Sequence, residues 1–165
     1  MSGDLDGRIA LITGASRGIG RAAAIRYAAE GAHVILLATT QGALEEVQDE
    51  ITEAGGTATL RPLDLTEYDQ VDQMGAAIFE RFGRLDILVG NAARLGTVGP
   101  LAHAQADDWE RTMAVNLTAN WRLLRSMDPL LRMSEAGRAI FVTSAVGQRV
   151  QPYFSAYSIS KAGLD

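Results

Sequence analysis

Apolar residues in this chain follow two rhythms that alternate from one end to the other. Short unbroken apolar runs predict strands buried on both faces. Ile9-Ala10-Leu11-Ile12 is the first and ends in Thr13-Gly14; Val34-Ile35-Leu36-Leu37 is the second. Thr57 to Arg61, ended by Pro62, predicts a weaker third strand, with Leu85 to Val89 and Ala139 to Thr143 the fourth and fifth. Between the runs the spacing turns helical. Arg21 to Glu30 is Ala-rich and closed by Gly31, a glycine stop. Leu44, Val47 and Ile51 recur at helical spacing before Gly55-Gly56, and Val71, Met74, Ile78 and Phe82 form the next stripe. After a loop from Gly90 to Ala106, the stripe Met113, Leu117, Trp121, Leu124 predicts the core face of a long helix from Asp107 to Met133. Another helix opens at Ser155. Strand and helix alternating at a spacing of about 25 residues predict an α/β fold with a doubly wound parallel sheet. Right-handed crossovers cover both faces of it. No linker or repeat interrupts the pattern, so residues 1–165 are expected to form one domain.

Composition narrows the function classes. The chain has 165 residues, is 47% hydrophobic and carries a formal charge of −5. That balance argues against disorder and against a nucleic-acid partner. With no Cys there is no disulfide framework, thiolate zinc site or cysteine nucleophile. His33 and His103 lie far apart in sequence, so no metal site is expected. The polar start, Met1 to Arg8, is no signal peptide, and no apolar run approaches the ~18 residues of a membrane span. A cytoplasmic protein with no membrane partner is the expectation.

Two clusters carry chemistry. The first strand runs into Thr13-Gly14-Ala15-Ser16-Arg17-Gly18-Ile19-Gly20, which opens the first helix. Glycines there allow a tight turn and close backbone approach, and the helix N-terminus offers free N–H groups to a pyrophosphate. An acid at the end of the second strand would hold the ribose hydroxyls of NAD. The chain reads Leu37-Ala38-Thr39-Thr40 instead, while Arg17 places a guanidinium in the turn. Both features favour the 2′-phosphate of NADP(H) over NAD(H).

The second cluster is Tyr157 and Lys161, four apart at the start of a helix and so on one face of it. A phenol titrates near ~10 and is a weak base at neutral pH; an adjacent ammonium favours its ionised form. Lys161 is the one Lys among 15 basic residues. Ser144 ends the fifth strand, where ligands of open α/β sheets bind, so its hydroxyl can meet the same substrate oxygen as Tyr157.

Taken together these residues resemble the short-chain dehydrogenase/reductase family, over essentially the whole chain. Thr13-Gly14-x-x-x-Gly18-Ile19-Gly20 looks like the family's cofactor motif, and Asp64-Leu65 like the pair whose Asp contacts the adenine ring. Asn91-Ala92 looks like its Asn-Ala-Gly segment; Asn116, Ser144 and the Tyr157-x-x-x-Lys161 pair match its catalytic residues. The resemblance implies a Rossmann-like fold and hydride transfer between NADP(H) and a carbonyl or secondary alcohol. Tyr157 would act as general acid/base and Ser144 would orient the substrate oxygen. Lys161 would support Tyr157 and bind the nicotinamide ribose. Asn116 would hold a relay water. The cofactor set so implied is Gly14, Ser16, Arg17, Gly18, Ile19, Gly20, Thr39, Asp64, Leu65, Asn91 and Ala92, with Tyr157 and Lys161. Arg94-Leu95-Gly96 and Gln151-Pro152-Tyr153-Phe154 are expected to line the substrate pocket.

Three departures stand against the family pattern. Ala93 replaces the usual glycine, where a positive φ would cost about 1 kcal/mol. Ala38 and Thr39 stand where an acid and a basic residue are common, which leaves the positive charge to Arg17. Members are also longer: the five strands here lack the family's C-terminal strands, the pocket-closing loop and much of the last helix. That helix commonly pairs subunits, so the complete fold implies a homodimer or homotetramer, and the fifth strand is expected to be an apolar sheet edge. The alternative is a catalytically incomplete nucleotide-binding fragment. A methyltransferase-like α/β domain would explain the glycine turn but not the Ser144, Tyr157 and Lys161 spacing.

Overall fold

The computed structural model describes residues 3–149 and 151–165. Met1 and Ser2 of the expected polar N-terminus lie outside the described residues. Strand β1 (Ile9–Thr13) leads into helix α1 (Gly18–Ala29), β2 (His33–Ala38) into α2 (Gln41–Glu53), and β3 (Thr57–Pro62) into α3 (Tyr68–Phe82). Strand β4 (Ile87–Gly90) precedes a loop with a 3₁₀ turn at Leu101–His103, then α4 (Ala106–Met113), a π turn (Ala114–Thr118) and α5 (Ala119–Arg132). Strand β5 (Arg138–Phe141), the short α6 (Ala145–Gln148) and α7 (Ser155–Leu164) follow.

The five strands pair in parallel in the order β3-β2-β1-β4-β5. The apolar runs explain why both faces are covered. Side chains alternate across a strand, so Ala10 and Ile12 of β1 join Val34 and Leu36 of β2 under α1 and α2. Leu11, Ile35 and Leu37 pack on the other face with Met74 of α3 and with Leu123 and Met127 of α5. The strand order switches sense at β1 and β4, with β2 and β3 added on one side and β4 and β5 on the other, which opens a crevice at their C-terminal ends. The turn after β1 and the segment after β4 both emerge there.

The long helix departs from its expected course. It is broken by the π turn, and its buried face carries Thr112, Asn116, Asn120, Leu123, Met127 and Leu130. Of the expected core stripe, Trp121 is 54% exposed and Leu124 38%. Three polar residues on the buried face hide it from an apolar count, so the stripe slips one position toward the outside. In the π turn, the Asn116 carbonyl accepts a bond of 2.8 Å from Asn120 Nδ2. The fifth strand does lie at a sheet edge, with Ile140 exposed.

At the opposite end of the sheet, Asp86 is fully buried. Its carboxylate accepts from the Ile9 N–H, Arg8, Arg84 and Ser134, tying β1 and β4 to the chain after α5. Burial pushes this carboxyl up, but the hydrogen bonds from Ser134, Ile9, Arg8 and Arg84 outweigh it and hold it below the usual range. A carboxyl depressed in the folded state stabilises above its unfolded pKa of ~3.9, and that stability is lost as pH falls through the lower folded value. Urea unfolding is therefore expected to show Asp86→Asn about 2 kcal/mol less stable at pH 7. The gap should narrow as pH drops below about 4; a gap that stays constant with pH contradicts the ionised clasp.

Candidate active site

The glycine turn is shaped by backbone geometry. Gly14 has φ 65° and Gly18 φ 57°, a region glycine enters without penalty. A Cβ on Gly20 would collide with the Gly14 carbonyl oxygen and stand 2.5 Å from Asn91 Nδ2. The turn is tied to β4 as well. Thr13 Oγ accepts from the Asn91 N–H (2.9 Å) and the Ala92 N–H (3.0 Å), and Asn91 Nδ2 donates to the Thr13 carbonyl at 2.9 Å.

A cavity of about 690 Å³ opens over this turn. Gly14, Ser16, Arg17, Gly18 and Ile19 form one wall, and Ala38 and Thr39 from the end of β2 form the next. Asp64 and Leu65 beyond β3 and Asn91 and Ala92 beyond β4 complete it. Gly20 is buried beneath the turn. A Cβ on Gly18 would meet no protein atom within 4 Å, so bare backbone faces the open space here. Helix α2 begins beside Thr39 with no acidic residue in its first turn. A cavity walled by a bare-backbone helix N-terminus and by the ends of β2, β3 and β4 has the donors to receive a dinucleotide.

Leu37, Leu63, Ala93, Arg94, Arg111 and Val115 line the same cavity but were not read as cofactor residues from the sequence. Val115 and Arg111 lie one helical turn apart, a signal of a shared face. Nothing in the sequence links Arg111 to Asp64, 47 residues away, yet Arg111 Nη2 donates to Asp64 Oδ2 at 2.7 Å. Ala93 has no positive φ, so the expected strain is not present. Tyr153 does, at φ 73°, and is 60% exposed. With Gln151, Leu101, Val146 and Ile159 it borders a separate hollow of about 390 Å³.

The candidate catalytic residues are not among those that line the cavity over the glycine turn: Asn116 stands on the π turn, Ser144 just after β5, and Tyr157 and Lys161 on α7. Ser144 follows β5 and caps α6, with the Val146 N–H 3.5 Å from its Oγ. Helix α6 packs closely on α7: a Cβ on Gly147 would stand 2.9 Å from the Ala162 nitrogen. Lys161 is 2% exposed and its Nζ donates to the Val142 carbonyl at 2.5 Å, two residues before Ser144. The same ammonium lies 5.9 Å from the centre of the Tyr157 ring. Burial pushes the Lys161 pKa down, and the Asp165 charge opposes this in part.

Asn116 is a crosspiece between the two halves of the site. Its Oδ1 accepts from the Arg94 N–H at 2.8 Å, and its Nδ2 donates to the Arg94 carbonyl at 2.9 Å and to Ser160 Oγ at 3.0 Å. Ser160 Oγ in turn donates to the Tyr157 carbonyl at 2.8 Å. The segment after β4 is thereby bolted to the helix that carries Tyr157 and Lys161.

Among the described residues, no group of three His, Cys, Asp or Glu is placed to hold a metal, and no helix is long and apolar enough to cross a membrane.

Known proteins resemble this chain in sequence and fold. The profile of the family "short chain dehydrogenase" matches residues 8–165. The chain is 40% identical to a fatty acyl-CoA reductase of Acinetobacter baylyi, over 98% of this chain and 55% of that protein. It is similar to a short chain dehydrogenase of Shigella flexneri solved in complex with NADP: TM-score 0.94, 36% identity, 99% of this chain and 70% of that one. An NAD+-bound xylitol dehydrogenase also aligns, at TM-score 0.91 and 29% identity, over 98% of this chain and 62% of that one. The chain thus spans a little over half the length of the Acinetobacter relative. With the profile running from Arg8 onward and the backbone following solved members throughout, this chain belongs to the short chain dehydrogenase family.

Proposed function

We propose that residues 1–165 form the cofactor-binding and catalytic part of an oxidoreductase that uses NADP(H) and acts on a small-molecule carbonyl or secondary alcohol. The observation that carries it is the buried Lys161 of α7, whose ammonium lies 5.9 Å from the Tyr157 ring centre and donates to the Val142 carbonyl just after β5, two residues before Ser144. The preference for NADP(H) rests on Arg17 in the cavity wall and on Ala38-Thr39 where a carboxylate would favour NAD(H). The Shigella relative holds NADP and the xylitol dehydrogenase NAD+, so the fold accommodates either.

When bound, the nicotinamide gives or takes the hydride. The chain's own groups handle the proton and the substrate oxygen. In reduction, the Tyr157 hydroxyl donates a proton to the carbonyl oxygen; in oxidation, Tyr157 removes it from the alcohol. Ser144 donates a hydrogen bond to that oxygen and fixes its position. Lys161 keeps a positive charge next to the Tyr157 ring, held from below by the Val142 carbonyl. Asn116 keeps α7 in register with the Arg94 segment. The Acinetobacter relative is named for an acyl-CoA substrate, itself a carbonyl compound. Pairing into a homodimer or homotetramer through α7, whose Ile159 is exposed, belongs to the same proposal.

The test is NADPH consumption, followed by absorbance, against a panel of aldehydes, ketones and acyl thioesters. Turnover is expected with at least one of them. The alternative, a nucleotide-binding fragment that needs further chain to act, is favoured by the 55% span of the Acinetobacter relative and predicts NADPH binding without turnover. Absence of NADPH binding overturns both.

A further inference from the structure

The far end of the cavity holds an ion pair whose parts do different work. Asp64 Oδ1 accepts from the Thr66 N–H at 2.9 Å and from Thr66 Oγ at 2.8 Å, which fixes the carboxylate. Its Oδ2 faces Arg111 at 2.7 Å. Burial pushes the Asp64 carboxyl up, but Thr66 and Arg111 outweigh it and keep it ionised. The Arg111 side chain is 54% exposed and lines the cavity beside Leu65 and Val115. One of its nitrogens meets Asp64; a guanidinium has five N–H donors in all.

If the pyrophosphate lies at the glycine turn and the ribose at Ala38-Thr39, the purine reaches toward Leu63, Asp64 and Leu65. There it meets an acceptor-only group and a donor-only group side by side. The pairing edge of a 6-aminopurine offers a donor at position 6 and an acceptor at N1. A 6-oxopurine offers the reverse. A carboxylate and a guanidinium together can complement either edge, whereas a carboxylate alone repels the oxygen of a 6-oxopurine.

We propose that Arg111 is a specificity residue of the cofactor site: paired with Asp64, it lets the site accept a 6-oxopurine dinucleotide as well as the adenine one. The inference rests on the dinucleotide reading above. Its test is binding, not activity. NADPH and the reduced hypoxanthine analogue of NADPH are titrated by fluorescence against wild type, Arg111→Leu and Arg111→Lys. Wild type is expected to bind the two within about threefold. Arg111→Leu is expected to weaken NADPH a few-fold, since the donor to N1 is lost while Asp64 still accepts from the 6-amino group, and to weaken the hypoxanthine analogue about tenfold more, because the half-buried Asp64 acceptor then has no donor beside it for the 6-oxygen. Arg111→Lys, which restores a donor, should recover part of the loss. Melting curves check that the variants fold, as substitution of a half-exposed side chain allows. If Arg111→Leu weakens both dinucleotides equally, or neither, the proposal is overturned. If wild type binds NADPH but rejects the hypoxanthine analogue, Arg111 confers no such tolerance and the proposal also fails. If wild type binds neither, the cofactor reading itself has failed.

Discussion

Tyr157→Phe is expected to lower turnover of a carbonyl substrate with NADPH by about 10²–10⁴-fold, the usual contribution of a positioned general acid or base. NADPH affinity should stay within about twofold, because the change leaves every backbone bond in place. The substitution removes one oxygen and keeps the ring. That ring sits on the first turn of α7, whose placement does not depend on the hydroxyl. Ser160 holds the Tyr157 carbonyl, Asn116 holds Ser160, and Lys161 holds the Val142 carbonyl. A fall in kcat without a change in NADPH affinity therefore isolates proton transfer from cofactor binding. Turnover unchanged in the variant means that another group moves the proton.

The second large effect concerns the floor of the cavity. Gly20→Ala is expected to weaken NADPH binding by more than about tenfold and to cost about 1–3 kcal/mol of stability, the range for forcing an extra carbon into a packed site. The added Cβ has no flexible neighbour to displace. It would meet the backbone oxygen of Gly14 and the Asn91 amide, and Asn91 is already committed to the Thr13 carbonyl. Relief requires α1 to move away from the turn, and its first N–H groups move with it. Gly42 is the natural control: a Cβ there meets nothing within 4 Å, so Gly42→Ala should leave both properties nearly unchanged. Calorimetric titration together with urea unfolding separates the two losses.

The sheet was legible in the sequence because its three central strands, β1, β2 and β4, are buried runs of mostly Val, Ile, Leu and Ala, and each expected strand forms within one or two residues. The glycine turn was legible because Gly14, Gly18 and Gly20 mark backbone demands that other residues cannot meet. The extent of the long helix was legible too, but its buried face was not. Its π turn adds a residue to one turn, and Asn116 and Asn120 occupy buried positions that an apolar stripe cannot reveal. The same blindness applies to Arg111. Its partner Asp64 is brought to it by the crevice, not by the chain, so the pair exists only in three dimensions. Tyr153 carries its positive φ in a segment whose sequence shows no glycine to announce it. Polar side chains that hold the site together, Thr13, Asn116 and Ser160, are satisfied by long-range partners and so leave no periodic trace.

If the proposed function is right, the cavity over the glycine turn binds a nicotinamide dinucleotide and favours its 2′-phosphate. Isothermal titration of the wild-type chain with NADPH and, separately, with NADH tests it most directly. One NADPH is expected to bind per chain, about tenfold or more tighter than NADH, a difference of roughly 1.4 kcal/mol attributable to Arg17. Saturable binding of NADH alone would contradict the assignment of Arg17, and no binding of either would contradict the site itself.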